Sequence, residues 1–321
     1  MSAPRLTLAC ADHDLNQALI SGQVACEGLE LDVAWEIEDG ERHARFLRDG
    51  AFDACEFSFA NFLMARSRGM PFCGIPAFPN RKFRQSYIFC NTAAGIDGPR
   101  DLEGKRVGLR GWSATASVWA RGVLQHYYRV DLRSISWFAP PEPLILDLPA
   151  WVRLTRLEAR QGLEAMLLEG KLDAVIYPDV LEAVQRGDPR VRRLFPDYKA
   201  EEQAFYRTTG IFPISHLVVL RQEVVDRFPG AAMALLQAFR ASRDACFRRL
   251  DDQQTLSMSW AGILLEEQRS LMGRDYWPYN VRDNRLAIET IVAYAHEQGL
   301  IPQPFAADQL FLPETVGDSR Y

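Results

Sequence analysis

Between residues 5 and 69 short apolar runs alternate with amphipathic stretches: "LTLAC", a helical stretch over residues 14–21, "LELDVAW", "GERHARFLRDG", "FDACEFS" and "FANFLMARSRG". Apolar runs bounded by turn formers read as strands, and stretches whose apolar positions recur at helical spacing read as helices. The order βαβαβα predicts a mostly parallel sheet with helices on its faces. A second series opens at "GPRDLEGKRVGL", runs through a helix over residues 114–128 and through "QGLEAMLLEGKLDAVIYP", and closes near "RVRRLFPDYKAEEQAFYR". After residue 220 the period is helical, with helices predicted over 222–250, 255–272 and 283–298.

Two extended segments join the series, "QSYIFCN" going out and "GIFPISHLVVL" coming back. In the second, Phe212, Ile214, His216, Val218 and Leu220 share one face, and Ile211, Pro213, Ser215, Leu217 and Val219 share the other. Neither face is polar, so the strand is expected to be covered on both sides, and the His216 imidazole needs a hydrogen-bond partner there. A satisfied core histidine and a histidine at a ligand site both fit. The simplest architecture is α/β with an interrupted first domain. Residues 1–88 and 209–321 form lobe 1, with a helical C-terminal part, and residues 89–208 form an inserted α/β lobe 2. The two crossings make a hinge.

Composition narrows the partners. The chain has 321 residues, 48% hydrophobic and 25% charged, which suits a globular protein with a large core. Its net charge is −5 and its basic residues are scattered, which points to a small-molecule partner and away from nucleic acid or a membrane surface. The N-terminal "MSAPRLTLACADHDLNQ" meets acidic residues early and has no sustained apolar core, so the expectation is a cytoplasmic protein without a leader. Six cysteines, with no C-x-x-C pair, read as reduced thiols. The amphipathic C-terminal helices suit packing on a lobe or a homo-oligomer interface equally.

In open parallel sheets ligands bind beyond the carboxyl ends of strands, and those positions hold chemistry here. Asp12, His13 and Asp14 follow the first strand, and Glu56 and Ser58 follow the third. Arg81, Lys82 and Arg84 precede the outgoing crossing, Arg110, Trp112, Ser113 and Thr115 follow "KRVGL", and Tyr177 and Asp179 follow "DAVI". Arg84 or Arg81 suits a bidentate grip on a carboxylate, or a solvated loop. Ser113 and Thr115 suit an anion at a helix start, or plain capping. Glu56 suits proton transfer, partial burial raising its pKa into a useful range, or is merely exposed beside a helix cap supplied by Ser58. Asp12, His13 and Asp14 of "ADHD", with Glu56 and His216, admit a divalent metal as an alternative, although no metal spacing demands one. His43, His126 and His296 fall on predicted helices and read as surface or packing residues. "DYWPYN", with Trp277 and Tyr279, reads as a structural turn. No G-x-G-x-x-G, P-loop or G-x-S-x-G signature occurs, which removes the main support for dehydrogenase, nucleotide-hydrolase and α/β-hydrolase readings.

The blocks "LACADHDLNQAL", "FDACEFSFANFLMARSRG", "IPAFPNRKFRQSYIFCN", "GIDGPRDLEGKRVGL", "TASVWARGVLQHYY", "GDPRVRRLFPDY", "YRTTGIFPISHLVVL" and "WPYNVRDNR" occur in order along nearly the whole chain. Together they resemble the 4,5-dihydroxyphthalate decarboxylase family; "DLEGKRVG" alone resembles solute-binding proteins in general. The resemblance implies a two-lobed type 2 periplasmic-binding-protein-like fold, each lobe a mixed, mostly parallel sheet with flanking helices. It also implies a carboxy-lyase of aromatic-compound and phthalate degradation that converts 4,5-dihydroxyphthalate to 3,4-dihydroxybenzoate and CO₂ without an organic cofactor. "RGWSA" is more basic and aromatic than the family's usual segment, and "YPDV" stands where arginine is frequent, so the substrate is open at those positions. On this reading His216 is the acid at the ring carbon, Glu56 or Asp12 is the partner of a ring hydroxyl, and Arg84 or Arg81 holds the carboxylate that stays. Ser58, Ser113 and Thr115 orient the carboxylate that leaves, Trp112 and Trp119 wall the ring, and His13 contacts the substrate. A solute-binding protein for an aromatic acid, and a same-fold decarboxylase of another aromatic acid, are the alternatives.

Overall fold

A computed structural model describes residues 3–142, 148–158 and 162–317. The chain divides into two compact units: residues 1–81, 214–289 and 305–321, and residues 82–213 and 290–304. The second unit therefore takes back residues 290–304, which the sequence reading leaves in lobe 1. The helix Arg285–Glu297 runs through this boundary without a break, and the uninterrupted helical period hides the change of unit.

The first unit holds β1 (Arg5–Ala9), β2 (Glu30–Ala34), β3 (Ala54–Ser58) and β4 (Phe72–Ile75). The second holds β5 (Ile88–Asn91), β6 (Arg106–Leu109), β7 (Ser136–Ala139), β8 (Arg153–Arg156), β9 (Ala174–Ile176) and β10 (Val191–Arg193). The return strand β11 (His216–Arg221) completes the first sheet, whose order is β2-β1-β3-β11-β4; the second is β10-β5-β9-β6-β7-β8. β1 pairs in parallel with β2 and β3, β6 pairs in parallel with β7 and β9, and β7 with β8, as alternating strands and helices require. Each crossing strand enters its sheet antiparallel to both neighbours: β11 between β3 and β4, and β5 between β9 and β10.

The predicted return strand is shorter than its apolar run. Gly210, at φ 68°, ends the helix Tyr198–Thr209, and Pro213 has no N–H to give a ladder, so continuous pairing starts at His216. The helix predicted over 222–250 divides into Gln222–Arg227 and Ala231–Asp251 at "FPG", where Pro229 breaks the backbone ladder and Gly230 adopts φ 90°. The helices Thr115–His126, Ala261–Met272 and Arg285–Glu297 lie within the stretches predicted for them. Gln161, where the sequence opens another helix, lies outside the described residues; that helix is described from Leu163 to Leu168.

All six cysteines are free and buried, as expected of core thiols. Among the described residues, no helix is long and apolar enough to cross a membrane.

Candidate functional site

β3 sits between β1 and β11 and is buried at all five positions. Alternation puts Ala54, Glu56 and Ser58 on one face of it. In the antiparallel register His216 stands opposite Ser58 and Val218 opposite Glu56, which makes His216 and Glu56 diagonal neighbours on that face. Their side chains meet: the His216 Nδ1 to Glu56 Oε1 distance is 2.8 Å.

Glu56 is fully buried, and each of its carboxylate oxygens faces partners. Oε2 accepts from the Ala11 backbone N–H at 3.0 Å and from Asn16 Nδ2 at 3.1 Å, both in the loop that follows β1. Oε1 faces His216, His13 Nε2 at 3.4 Å and the Arg42 guanidinium at 4.0 Å. Arg42 stands four residues before Phe46, on the buried stripe of its helix, and is itself fully buried. It donates to the Glu56 carbonyl at 3.3 Å and to Asp39 Oδ1 at 2.6 Å. Asp39 Oδ2 lies 4.0 Å from His216 Nε2. The His43 ring meets the His216 ring edge-on at 5.0 Å, and His43 Nε2 is shielded from solvent without a partner among the described residues.

The electrostatics overturn the expectation for Glu56. Burial pushes its pKa up, but hydrogen bonds from His13 and His216 and the Arg42 charge outweigh it and hold the carboxyl well below its ordinary range. Glu56 is therefore a fixed anion, not a proton carrier. Burial works to lower the His13 pKa, and the Glu56 hydrogen bond and charge raise it overall. Burial, followed by the charges of His216 and Arg42, drives His43 well below the imidazole range and keeps it neutral.

Linkage fixes the pH window of this cluster. Glu56, depressed in the folded chain, contributes stability that is complete above its ordinary value of 4.5 and is lost only as pH falls through its lower folded value. His13, raised in the folded chain, contributes stability that is complete below 6.5 and is lost as pH rises through its folded value. Urea midpoints measured across pH are expected to show both contributions between 4.5 and 6.5, with His13→Gln flattening the alkaline side. An unchanged alkaline limb in that variant would contradict the His13–Glu56 interaction.

The other sequence candidates fall differently. Asp12 is exposed and accepts from Gln17 Nε2, so it is not held with Glu56. Ser58 caps the helix Phe59–Ser67, accepting from Asn61 N–H at 3.4 Å. Arg81 is buried and donates to Asn284 Oδ1 at 2.7 Å. In the second unit Arg84 is buried too, its Nε bonded to the Lys82 carbonyl at 2.9 Å, and burial pushes its pKa down to about 10. Ser113 does sit at a helix start with an anion, but the anion is the chain's own Glu142: Oε1 accepts from Ser113 N–H at 2.6 Å and Oγ at 3.0 Å. Thr115 is the first residue of that helix and is buried. Trp112 and Trp119 are fully buried core residues of the second unit, not walls of a site. Trp112 donates to the Gln298 carbonyl and stacks under Arg121 at 3.8 Å; Trp119 packs edge-on against Tyr294. Among the described residues no group of three or more His, Cys, Asp and Glu side chains is arranged to hold a metal ion.

Sequence reasoning missed Asp39, Arg42 and Asn16, and placed His43 among packing residues. The available signal was Arg42 at helical spacing from Phe46, since an arginine on an apolar stripe needs a buried anion.

A family model described as NMT1/THI5 like matches residues 21–127. The 4,5-dihydroxyphthalate decarboxylase of Comamonas testosteroni is 30% identical over 327 residues, covering 98% of this chain and 98% of that protein. The chain belongs to the 4,5-dihydroxyphthalate decarboxylase family. A second member, from Pseudomonas putida, is 29% identical over 216 residues, covering 64% of this chain and 83% of its own length. This chain shares its fold with solute-binding proteins. The crystal structure of the periplasmic aliphatic sulphonate binding protein SsuA from Escherichia coli matches 97% of this chain and 98% of its own with a TM-score of 0.56. At 14% identity that likeness is one of fold alone, and the decarboxylase relatives carry the functional argument.

Proposed function

We propose that the protein removes CO₂ from 4,5-dihydroxyphthalate to give 3,4-dihydroxybenzoate, with His216 and His13 as its proton carriers. The observation that carries this reading is one buried, ionised carboxylate, Glu56, facing two imidazoles. A carboxylate para to a phenol leaves once the ring carbon bearing it is protonated and the phenol has given up its proton, because the ring then holds as a dienone. Breaking the ring–carboxylate bond sends its electron pair into the ring, restores aromaticity and leaves a phenolate that takes its proton back. The net change is one proton consumed and one CO₂ released.

The residues supply the two roles this route needs. With Nδ1 engaged by Glu56, His216 presents Nε2 as the acid toward the ring carbon, and Glu56 stabilises the imidazolium. His13 borrows the phenolic proton and returns it; it takes the place given to Asp12 or Glu56 in the sequence reading. Arg81, in the same unit as the histidines, is the favoured clamp for the carboxylate that stays. The route as drawn needs no organic cofactor and no metal.

The test is incubation with a panel of hydroxybenzoic and hydroxyphthalic acids, following CO₂ and identifying the product. Release from 4,5-dihydroxyphthalate with 3,4-dihydroxybenzoate as product is expected. Release only from a different acid moves the substrate within the class; saturable binding without CO₂ from any acid makes the protein a solute receptor and sinks the proposal.

A further inference from the structure

His13 Nε2 faces two groups with opposite requirements. Glu56 Oε1, at 3.4 Å, is an acceptor and favours a proton on that nitrogen. Asn80 Nδ2, at 3.2 Å, is a donor and favours a lone pair there. Both contacts fall on Nε2, so the nitrogen that Asn80 and Glu56 contest decides what Nδ1 presents. With a lone pair on Nε2, neutral His13 carries its proton on Nδ1 and presents a donor. With the proton on Nε2, neutral His13 presents the Nδ1 lone pair, a base.

Asn80 is held independently of this contact. Its carbonyl accepts from the Ser215 N–H at 2.8 Å and the His216 N–H at 3.1 Å, so the residue that touches His13 is tied by its backbone to the first residue of β11. The remaining charged groups acting on His13 are Asp39 and Arg42, both from the helix Asp39–Ala44. Neither competes for Nε2 as a hydrogen-bond donor. An amide carries a donor and an acceptor on one carbon, and a half-turn exchanges them.

We propose that Asn80 is a positioning residue that selects the tautomer of His13, its amide nitrogen holding the proton on Nδ1 and a half-turn of the amide converting Nδ1 to a base. The proposal deepens the reading of His13 as a proton carrier and rests on it for its catalytic meaning. The tautomer itself is a property of the free protein.

The experiment is nitrogen-15 NMR of the histidine rings in the full chain without substrate, with His13→Gln assigning the His13 signals. In the wild type, neutral His13 is expected to carry its proton on Nδ1. Asn80→Asp offers only acceptors, so it is expected to move the proton to Nε2 and raise the His13 titration midpoint by about one pH unit or more. Asn80→Ala removes the donor and is expected to move the proton the same way with a smaller rise. Both variants keep the backbone carbonyl that holds Ser215 and His216, and matching urea midpoints at pH 5 check that the fold is intact. A wild-type proton on Nε2, or the same tautomer and midpoint in the wild type and both variants, overturns the proposal. The expected tautomers together with no CO₂ from any acid in the panel would leave the positioning role standing and remove the decarboxylase reading, so the two failures are separable.

Discussion

A His216→Gln variant is expected to release CO₂ from 4,5-dihydroxyphthalate at least ~10²-fold more slowly than the wild type, with little change in KM. Glutamine keeps an N–H to offer Glu56 Oε1, so the diagonal contact across β3 and β11 survives in outline while the transferable proton is lost. The loss is therefore expected in kcat, and the urea midpoint is expected to stay close to wild type. Turnover within a few-fold of wild type would remove His216 from the chemistry and return it to a satisfied core histidine. A collapse of stability together with activity would make the imidazole structural.

The second large effect belongs to Glu56→Gln. The substitution preserves shape and removes the charge on which the cluster is organised. Arg42, fully buried, then keeps Asp39 as its one counter-ion among the described residues, and the His13 and His216 rings lose the anion they face. Breaking a buried ion pair on one side costs on the order of 3 kcal/mol, because the remaining charge is left desolvated. An equilibrium urea titration is expected to read a loss of that size, and turnover is expected to fall by ~10² or more since neither imidazole is then supported as an acid. Glu56→Asp keeps the charge but shortens the reach, so it is expected to hold Arg42 better than it holds the histidines: most of the stability returns, little of the turnover. Wild-type stability in the glutamine variant would mean that no ionised carboxylate sits at this position in the folded chain.

The parts of this site that could be read in the sequence are those set by local periodicity. Glu56 and His216 stand on strands whose alternation fixes the face of every side chain, and His13 stands at the carboxyl end of the first strand, where the parallel-sheet rule points. What periodicity does not carry is register. Nothing in "FDACEFS" and "GIFPISHLVVL" says that Ser58 is opposite His216, yet that pairing alone brings Glu56 within 2.8 Å of the ring. The sign of the Glu56 pKa shift went the other way for the same reason: burial was foreseeable, and the two imidazoles and the arginine that outweigh it come from three separate segments. Trp112 and Ser113 show the converse error. The end of a parallel strand is the right neighbourhood for a ligand, but the rule cannot tell an open position from one closed by the chain itself, and here the Gln298 carbonyl and the Glu142 carboxylate close both. The fold was legible because alternating strands and helices leave few topologies; the return of residues 290–304 was not, because it takes place within one unbroken helix.

The position of β11 has a consequence for the order in which this molecule is made. The ribosome delivers β1 to β4 first, but β3 and β4 are not neighbours in the finished sheet; the slot between them belongs to a strand that starts at residue 216. Until that strand has left the exit tunnel, two buried, apolar strands have open inner edges, which makes the nascent chain a client for holding factors and a hazard for strand exchange. The same late arrival brings His216 to Glu56. The nascent N-terminal segment therefore carries Glu56 well before it carries His216, and the last strand to be inserted fills the sheet and completes the cluster in one step.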